Sequence, residues 1–200
     1  MNYKSYLRLF LLTCTILIML VRNTQAQKMF YKGYVVTNDG DTVKGKIPYD
    51  LGTNNNYHIV DVKDEKGYVK KFNVWQIKMY SLNNELYFTK KAERGEMKHR
   101  NDLVFMHQTQ SGKLTLYEYE YVRKLGGASS FEEAGLETTG EKDFYIEKTD
   151  SSFIYLPKLG YKKILKELVA EHAECLSIIE DKDFDYKKIP DVIRCYNAKN

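Results

Sequence analysis

The sequence contains few of the patterns that mark a known chemistry. Its 200 residues contain no Gly-x-Ser-x-Gly nucleophile motif, no phosphate-binding glycine loop and no dinucleotide-binding fingerprint. The histidines form no His-x-x-x-His pair and the cysteines no Cys-x-x-Cys pair, so the spacing typical of zinc sites is missing. No cofactor and no metal are therefore predicted. Asn-x-Ser/Thr acceptors are also absent, which favours a bacterial exported protein over a eukaryotic glycoprotein.

Long apolar runs are scarce too, and the only one lies at the N-terminus. Lys4 and Arg8 precede an apolar stretch at 9–21, and small residues follow it. A basic start, a short apolar middle and small residues before the cut are typical of a secretory signal peptide. We expect residues 1–26 to be removed and the mature chain, starting at Gln27, to be periplasmic, outer-membrane-associated or secreted, with no transmembrane span. A retained N-terminal anchor is the alternative.

Net charge is nearly absent once residues 1–26 are set aside. That segment holds three of the 31 basic residues and none of the 27 acidic ones, so 28 basic residues face 27 acidic ones. This balance gives no electrostatic reason to bind nucleic acid, and no nucleic-acid partner is predicted. A basic cluster at 90–100 is interleaved with glutamates, and we interpret it as a solvated loop.

Residues 29–156 alternate between apolar and polar positions in short segments that turn residues separate. This pattern predicts β-hairpins. A first turn at Asp39-Gly40 would set Val36 opposite Val43 and Tyr34 opposite Gly45. Further turns are predicted at 64–67, 83–84, 111–112 and 149–152. Residues 126–140, rich in Gly, Ser and Thr, are predicted to form a long loop.

Two of these hairpins allow sharper predictions. The turn at 83–84 would pair Met79 with Phe88 and Tyr80 with Tyr87. The hairpin around 111–112 carries apolar residues on both faces, which predicts a central hairpin that is covered on both sides.

Beyond Pro157 the period of the apolar residues changes from that of a strand to that of a helix. Apolar residues recur at helical spacing from Tyr161 to Ile179, which predicts one amphipathic helix of about five turns. A shorter helix is predicted from Pro190, because proline suits the first helical position. The predicted fold class is α+β, mainly β. We expect an antiparallel meander of about ten strands (27–157), barrel-like or a sandwich, with a C-terminal helical hairpin (158–200) packed on it.

Two cysteines remain outside the predicted signal peptide, Cys175 and Cys195, one on each predicted helix. In an oxidising compartment, an even pair on two packed helices favours a disulfide. Two reduced core cysteines are the alternative.

The loop at 38–41 offers oxygen ligands on Asn38, Asp39 and Asp41, as calcium loops do. No bidentate carboxylate follows at the required spacing, and Asp-Gly between strands is a common hairpin signal. We therefore interpret the loop as a turn.

Tyrosine is unusually frequent, with 17 residues in the chain. Tyr117, Tyr119 and Tyr121 alternate along one strand face. Such a face is either part of the core or an exposed platform for a sugar ring or a partner protein, and the pattern leaves both open. These three tyrosines, Trp75 and the loop at 126–140 are the predicted contact elements.

A first-hairpin pattern of glycines, Thr and Asp resembles the start of the mature region in a family of lineage-restricted exported proteins of Bacteroidota. The matching residues are Gly33, Tyr34, Val35, Val36, Thr37, Gly40, Asp41, Thr42, Gly45 and Ile47. Those proteins often close with a helix ending in Tyr-Asn, similar to residues 189–197, after a helix with a cysteine, as at Cys175. The resemblance implies an envelope or secreted location and carries over no catalytic residue.

The sequence thus favours an exported, non-catalytic module that binds a protein or glycan partner in the cell envelope. A competing hypothesis is an exported hydrolase-like or metal-dependent enzyme with a site near His99 or His107. His107 lies on a predicted apolar face, where a histidine of the core is the usual explanation.

Overall fold

Antiparallel strands make up most of the chain in the computed structural model, which describes residues 29–49, 58–92, 102–123 and 139–199. The predicted signal peptide, His99 and most of the predicted loop at 126–140 lie outside these ranges; the end of that loop belongs to a strand that begins at Thr139. The strands are β1 (Met29–Thr37), β2 (Thr42–Tyr49), β3 (Ile59–Lys63), β4 (Val69–Asn73), β5 (Ile77–Leu82), β6 (Glu85–Ala92), β7 (Asp102–Gln110), β8 (Leu114–Arg123), β9 (Thr139–Lys148) and β10 (Phe153–Leu156).

All ten described strands belong to one sheet, in the order β10-β9-β8-β7-β6-β5-β1-β2-β3-β4. Strand β1 lies in the interior between β5 and β2, so the first four strands extend one way and the others extend the opposite way. The predicted fold class, mainly β with an antiparallel meander and C-terminal helices, is confirmed. Within the described residues the sheet is open, with β10 and β4 at its two ends.

The end of the sheet that carries β1 to β4 must curl. Only residues 74–76 connect β4, the end strand, to β5, which lies four strand positions away. In a flat sheet this separation is about 19 Å, whereas four Cα–Cα steps span about 14 Å at most. The curled strands enclose a core made of Val35, Ile47, Val60, Val62, Phe72, Val74, Ile77, Tyr80, Leu82 and Phe105.

Two glycines allow the curled strands to approach each other closely. Gly33 of β1 and Gly45 of β2 are directly opposite each other. A Cβ atom on Gly33 would lie 2.2 Å from the backbone oxygen of Ser81, and one on Gly45 would lie 2.6 Å from that of Lys63. Real side chains do not fit at these distances, so the curl requires glycine at both positions.

The first hairpin has a register that differs by one residue from the predicted one, so that prediction is wrong. Val35, not Val36, is opposite Val43. Gly40 donates its backbone N–H to Thr37 and has a φ of 95°, which makes a three-residue loop with glycine in the left-handed region. In the observed register Val35 is buried in the core, and Lys32, Lys44 and Lys46 lie on the opposite face of the sheet.

The predicted pairing at Asn83-Asn84 is confirmed, because Met79 is opposite Phe88 and Tyr80 is opposite Tyr87. Both asparagines have positive φ, as a two-residue hairpin turn requires. The hairpin of β7 and β8 is central and buried on both faces, also as predicted. We call the face of the sheet that points away from the C-terminal helices the outer face. There the hairpin contributes to a core of Ala92, Val104, Met106, Tyr117, Tyr119 and Tyr145.

The C-terminal region contains three helices, α1 (Tyr161–Leu168), α2 (Ala173–Glu180) and α3 (Ile189–Lys199), with a 3₁₀ turn at Tyr186–Lys188. The prediction of one five-turn helix is wrong, because the chain breaks between α1 and α2. Tyr196 of α3 contacts the break directly: its hydroxyl donates to Glu171 (2.8 Å) and its ring packs edge-on against His172. Packing against α3 therefore accounts for a break that the periodicity of the sequence does not show.

These helices cover the inner face of β8, β9 and β10. Leu165, Ile179 and Ile193 pack there against Leu116 and Ile146, all of them buried. None of the described helices is long and apolar enough to cross a membrane.

Polar side chains fasten the helices to the strands. Asn197 of α3 both donates to and accepts from the backbone of Leu114 (2.8 and 3.0 Å). The Tyr186 hydroxyl donates to Leu156 O and accepts from Phe144 N. A disulfide between Cys175 and Cys195 joins α2 to α3. The C-terminal region is thus fixed to the sheet at several separate points.

Candidate functional site

Trp75 carries the largest exposed aromatic ring among the described residues, and 64% of the residue is exposed. It is the single tryptophan of the chain and lies in the connection from β4 to β5. An exposed indole ring offers a partner a large and rigid contact area.

The backbone around Trp75 is held by hydrogen bonds within its own turn. The backbone N–H of Trp75 donates to the Asn73 side-chain oxygen (3.0 Å), and that of Asn73 donates to the Gln76 side-chain oxygen (2.9 Å). Gln76 N–H in turn donates to Asn73 O (3.0 Å). Both ends of the turn are therefore tied to each other.

A second set of hydrogen bonds comes from the first hairpin, far away in sequence. The side-chain amide of Asn38 donates to Trp75 O (2.6 Å), and its backbone N–H donates to Gln76 O (3.0 Å). The loop at 38–41 and the turn at 73–76 thus form one fixed unit, which we call the Trp75 surface. It joins the predicted contact residue to the aspartate-bearing loop that was interpreted as a turn.

A ring on a fixed backbone binds a partner with little further loss of conformational entropy, because most of the ordering has already taken place. Asp39 and Asp41, in the loop whose Asn38 bonds to the turn, are both exposed. An aromatic face with hydrogen-bonding groups at its rim suits a sugar ring or a peptide segment.

The predicted tyrosine platform is buried instead. Tyr117 is 3% exposed and Tyr119 is 7% exposed, and both belong to the outer-face core around Tyr145. The sequence left open whether these rings belong to the core or to an exposed platform, and these two belong to the core. For Tyr121 the structure describes only the backbone, which pairs with Glu141.

Tyr117 takes part in a half-buried polar cluster that the sequence did not reveal. Glu147 accepts hydrogen bonds from Lys90 (2.7 and 2.8 Å) and from the Tyr117 hydroxyl (2.7 Å). The Lys90 ammonium also lies 4.9 Å from the centre of the Tyr117 ring. Lys90 had been predicted to lie in a solvated loop, but it belongs to β6.

The protonation of the cluster follows from these contacts. Burial, and then the hydrogen bond to Glu147, raise the pKa of the Tyr117 hydroxyl, so it stays protonated as the donor. Burial alone would raise the pKa of Glu147, but the hydrogen bonds from Lys90 and Tyr117 outweigh it and lower that pKa. Near neutral pH the cluster is an ion pair with a neutral phenol, which suits a structural role.

We therefore expect Glu147→Gln to lower the free energy of unfolding at neutral pH by about 1 kcal/mol, a modest value because the pair is partly open to solvent. Since the Glu147 pKa is lowered on folding, this stabilisation is present above its unfolded pKa of about 4.3 and is lost as the pH falls through the lower folded pKa. Urea unfolding at neutral and acidic pH measures both effects.

The matched control is Glu180→Gln. Glu180 accepts from Lys166 at 2.9 Å, but this pair is far more exposed. No measurable change is expected there. Equal losses in the two variants would show that the burial of the Lys90 cluster contributes nothing.

His107 ends a row of stacked rings on the inner face. Its ring lies 4.9 Å from that of Tyr87, which stacks on the buried Tyr80 at 4.6 Å. A carboxylate oxygen of Glu85 lies 3.9 Å from Nε2 of His107, which is longer than a hydrogen bond. Within the described residues, no three His, Cys, Asp or Glu side chains are grouped so that they could hold a metal ion.

Fold and surface together define a mainly β protein with a helical C-terminal cover and an exposed, fixed tryptophan turn. No protein-family model, no curated protein and no solved structure matches the chain.

The sequence predicted Trp75 as a contact residue but not the groups that fix its backbone. Asn73 and Gln76 flank the tryptophan, and short polar side chains at turn positions are a local signal for such bonds. Asn38 gives no such signal, because its contact with the turn depends on the curl of the sheet.

Proposed function

We propose that this protein is an exported, non-catalytic binding module of the cell envelope or the secreted fraction, and that the Trp75 surface contacts its protein or glycan partner. The observation that carries the proposal is the exposure of Trp75 on a backbone held from both sides. Export is supported by the basic, apolar and small residues of positions 1–26.

A protein or a glycan fits this surface for the same physical reason. Both offer flat or ridged apolar patches for the indole ring, and both offer donors for the carboxylates of Asp39 and Asp41. Tryptophan is among the residues most enriched at the centres of protein interfaces, where one ring carries a large share of the binding energy.

We predict that Trp75→Ala reduces the capture of the partner at least about 30-fold, because losing a central aromatic contact costs about 2 kcal/mol or more. The measurement is cross-linking in intact cells, followed by pull-down and quantitative mass spectrometry of what is recovered. Thermal unfolding is expected to stay close to that of the wild type, since the ring is mostly exposed.

The matched control is Tyr68→Ala, which removes another exposed ring, 73% exposed, from the turn between β3 and β4. It should leave capture unchanged. Asn38→Ala tests the fixing of the turn separately: it keeps the ring but removes the bond to Trp75 O, so capture should fall by less than in Trp75→Ala. Full capture by Trp75→Ala, or an equal loss in Tyr68→Ala, would overturn the proposal.

A further inference from the structure

The outer face of the curled strands carries a row of lysines in direct register. Lys32 of β1 is opposite Lys46 of β2, and Lys46 is opposite Lys63 of β3. Residues directly opposite in antiparallel strands share a face and lie about 5 Å apart at their Cα atoms. Three positive charges therefore lie side by side across three neighbouring strands.

The surroundings add to this charge rather than compensate for it. Lys44 lies two residues from Lys46 on the same face, and Lys71 of β4 also points outward. The one acidic residue that the register places on this face of β1 to β4 is Asp61, opposite Lys71. No ion pair involves these lysines or Asp61 in the part of the chain that the structure describes.

Such a row is unfavourable for folding. Like charges directly opposite each other destabilise a sheet, and the chain has 27 acidic residues from which carboxylates could have been placed between the lysines. Within the described residues no ion pair offsets the lysine row, although Lys63 gains a cation–π contact with the ring of Phe30. A binding role for the face explains this arrangement.

Large apolar side chains share the face with the lysines. Phe30 precedes Lys32 by two residues, and Ile59 and Val69 occupy outward positions on β3 and β4; all three are exposed. Phe30 also lies 5.2 Å below the ammonium of Lys63. Exposed apolar side chains among lysines are typical of proteins that lie on a lipid surface, where the apolar groups enter the boundary of the acyl chains.

From these observations we propose that the outer face of β1 to β3 binds the surface of an anionic lipid bilayer, with Lys32, Lys46 and Lys63 on the headgroup phosphates. The face is convex, because the strands curl around the core on their other side. A convex face contacts a broad, deformable surface better than it encloses a single polymer chain. This site goes beyond the proposed partner binding and uses residues outside the Trp75 surface.

The test compares the wild type with the triple variant K32Q/K46Q/K63Q in co-sedimentation with vesicles. One set of vesicles mixes phosphatidylglycerol with phosphatidylcholine, and the other contains phosphatidylcholine alone. The wild type should prefer the anionic vesicles, and this preference should weaken in high salt. The triple variant should lose on the order of 100-fold in affinity, since each lysine near an anionic surface contributes about 1 kcal/mol, or roughly fivefold.

Both proteins have the same N-terminus, so residues 1–26, where retained, contribute equally and cancel in the comparison. The matched control K163Q/K182Q/K187Q removes the same charge from exposed lysines of the helical region. It should lose less than about tenfold. The triple variant should also unfold at a temperature equal to or above that of the wild type, because it relieves like-charge repulsion. If it fails to fold, K46Q alone, at the centre of the row, takes its place.

Several results would overturn the proposal. These are no preference of the wild type for anionic vesicles, unchanged affinity of the triple variant, or an equal loss in the control. Release of vesicle-bound protein by soluble polygalacturonate, together with direct binding of that polymer through the same lysines, would assign the face to an acidic polysaccharide instead.

Discussion

Gly33→Ala is expected to lower the free energy of unfolding by about 4 kcal/mol or more, at the upper end of single substitutions. The added Cβ would lie 2.2 Å from the backbone oxygen of Ser81 and 2.8 Å from the Ile47 side chain. A side chain can rotate away, but the oxygen belongs to the neighbouring strand β5. Relief therefore requires β1 and β5 to separate at this point. Urea unfolding with a far-UV signal measures the loss.

Gly67→Ala separates this steric effect from the ordinary effect of losing a glycine. Gly67 has a φ of 91° in the turn between β3 and β4, and an added Cβ would meet nothing closer than 3.8 Å. Its replacement should cost about 1–2 kcal/mol through backbone strain alone. Gly33→Ala within that range would show that the strands can move apart and that the curl does not depend on glycine.

The glycines of the first hairpin have structural roles in this chain. Gly33 and Gly45 permit the close approach of strands, and Gly40 takes the left-handed conformation of the first turn. At the other end of the chain, Asn197 of the Tyr-Asn pair fastens α3 to Leu114. In this chain these residues therefore shape the fold.

Hairpins were predictable wherever the turn has a single favoured geometry. Asn83-Asn84 fits a two-residue turn with positive φ at both positions, so its register follows directly. Asp39-Gly40 fits two geometries, the two-residue turn and the three-residue loop with a left-handed glycine. Apolar residues occupy both faces of β1, so they do not decide between the two geometries. The predicted register therefore differs from the observed one by one residue.

Contacts between distant segments were not predictable. The apolar residues of α1 and α2 follow one continuous helical period, and the break between them depends on Tyr196, which reaches Glu171 from another helix. The lysine row has the same origin. Lys32, Lys46 and Lys63 are unremarkable in a chain with 31 basic residues, and only the register brings them together.

Removal of the disulfide is the second large effect that we expect. Cys175 and Cys195 are 20 residues apart, and a crosslink that closes a loop of this length stabilises a fold by about 3 kcal/mol in the chain-entropy model. Adding a reductant to the wild type and making the Cys175→Ala/Cys195→Ala double variant should both lower the free energy of unfolding by this amount. Agreement between the two would assign the loss to the bond and not to a cavity at the buried Cys175.

Hydrogen exchange at one backbone amide tests the role of the disulfide more specifically than the free energy of unfolding does, because Asn197 of α3 fastens that helix to the sheet. The backbone N–H of Leu114 donates to Asn197 Oδ1, so its hydrogen exchange reports whether α3 stays in place. Reduction should speed exchange at Leu114 and leave Tyr87, which pairs within the sheet, nearly unchanged. The double variant should not respond to reductant. If reduction leaves both the unfolding free energy and the exchange at Leu114 unaltered, packing and hydrogen bonds alone hold the helices, and the crosslink adds nothing to the fold.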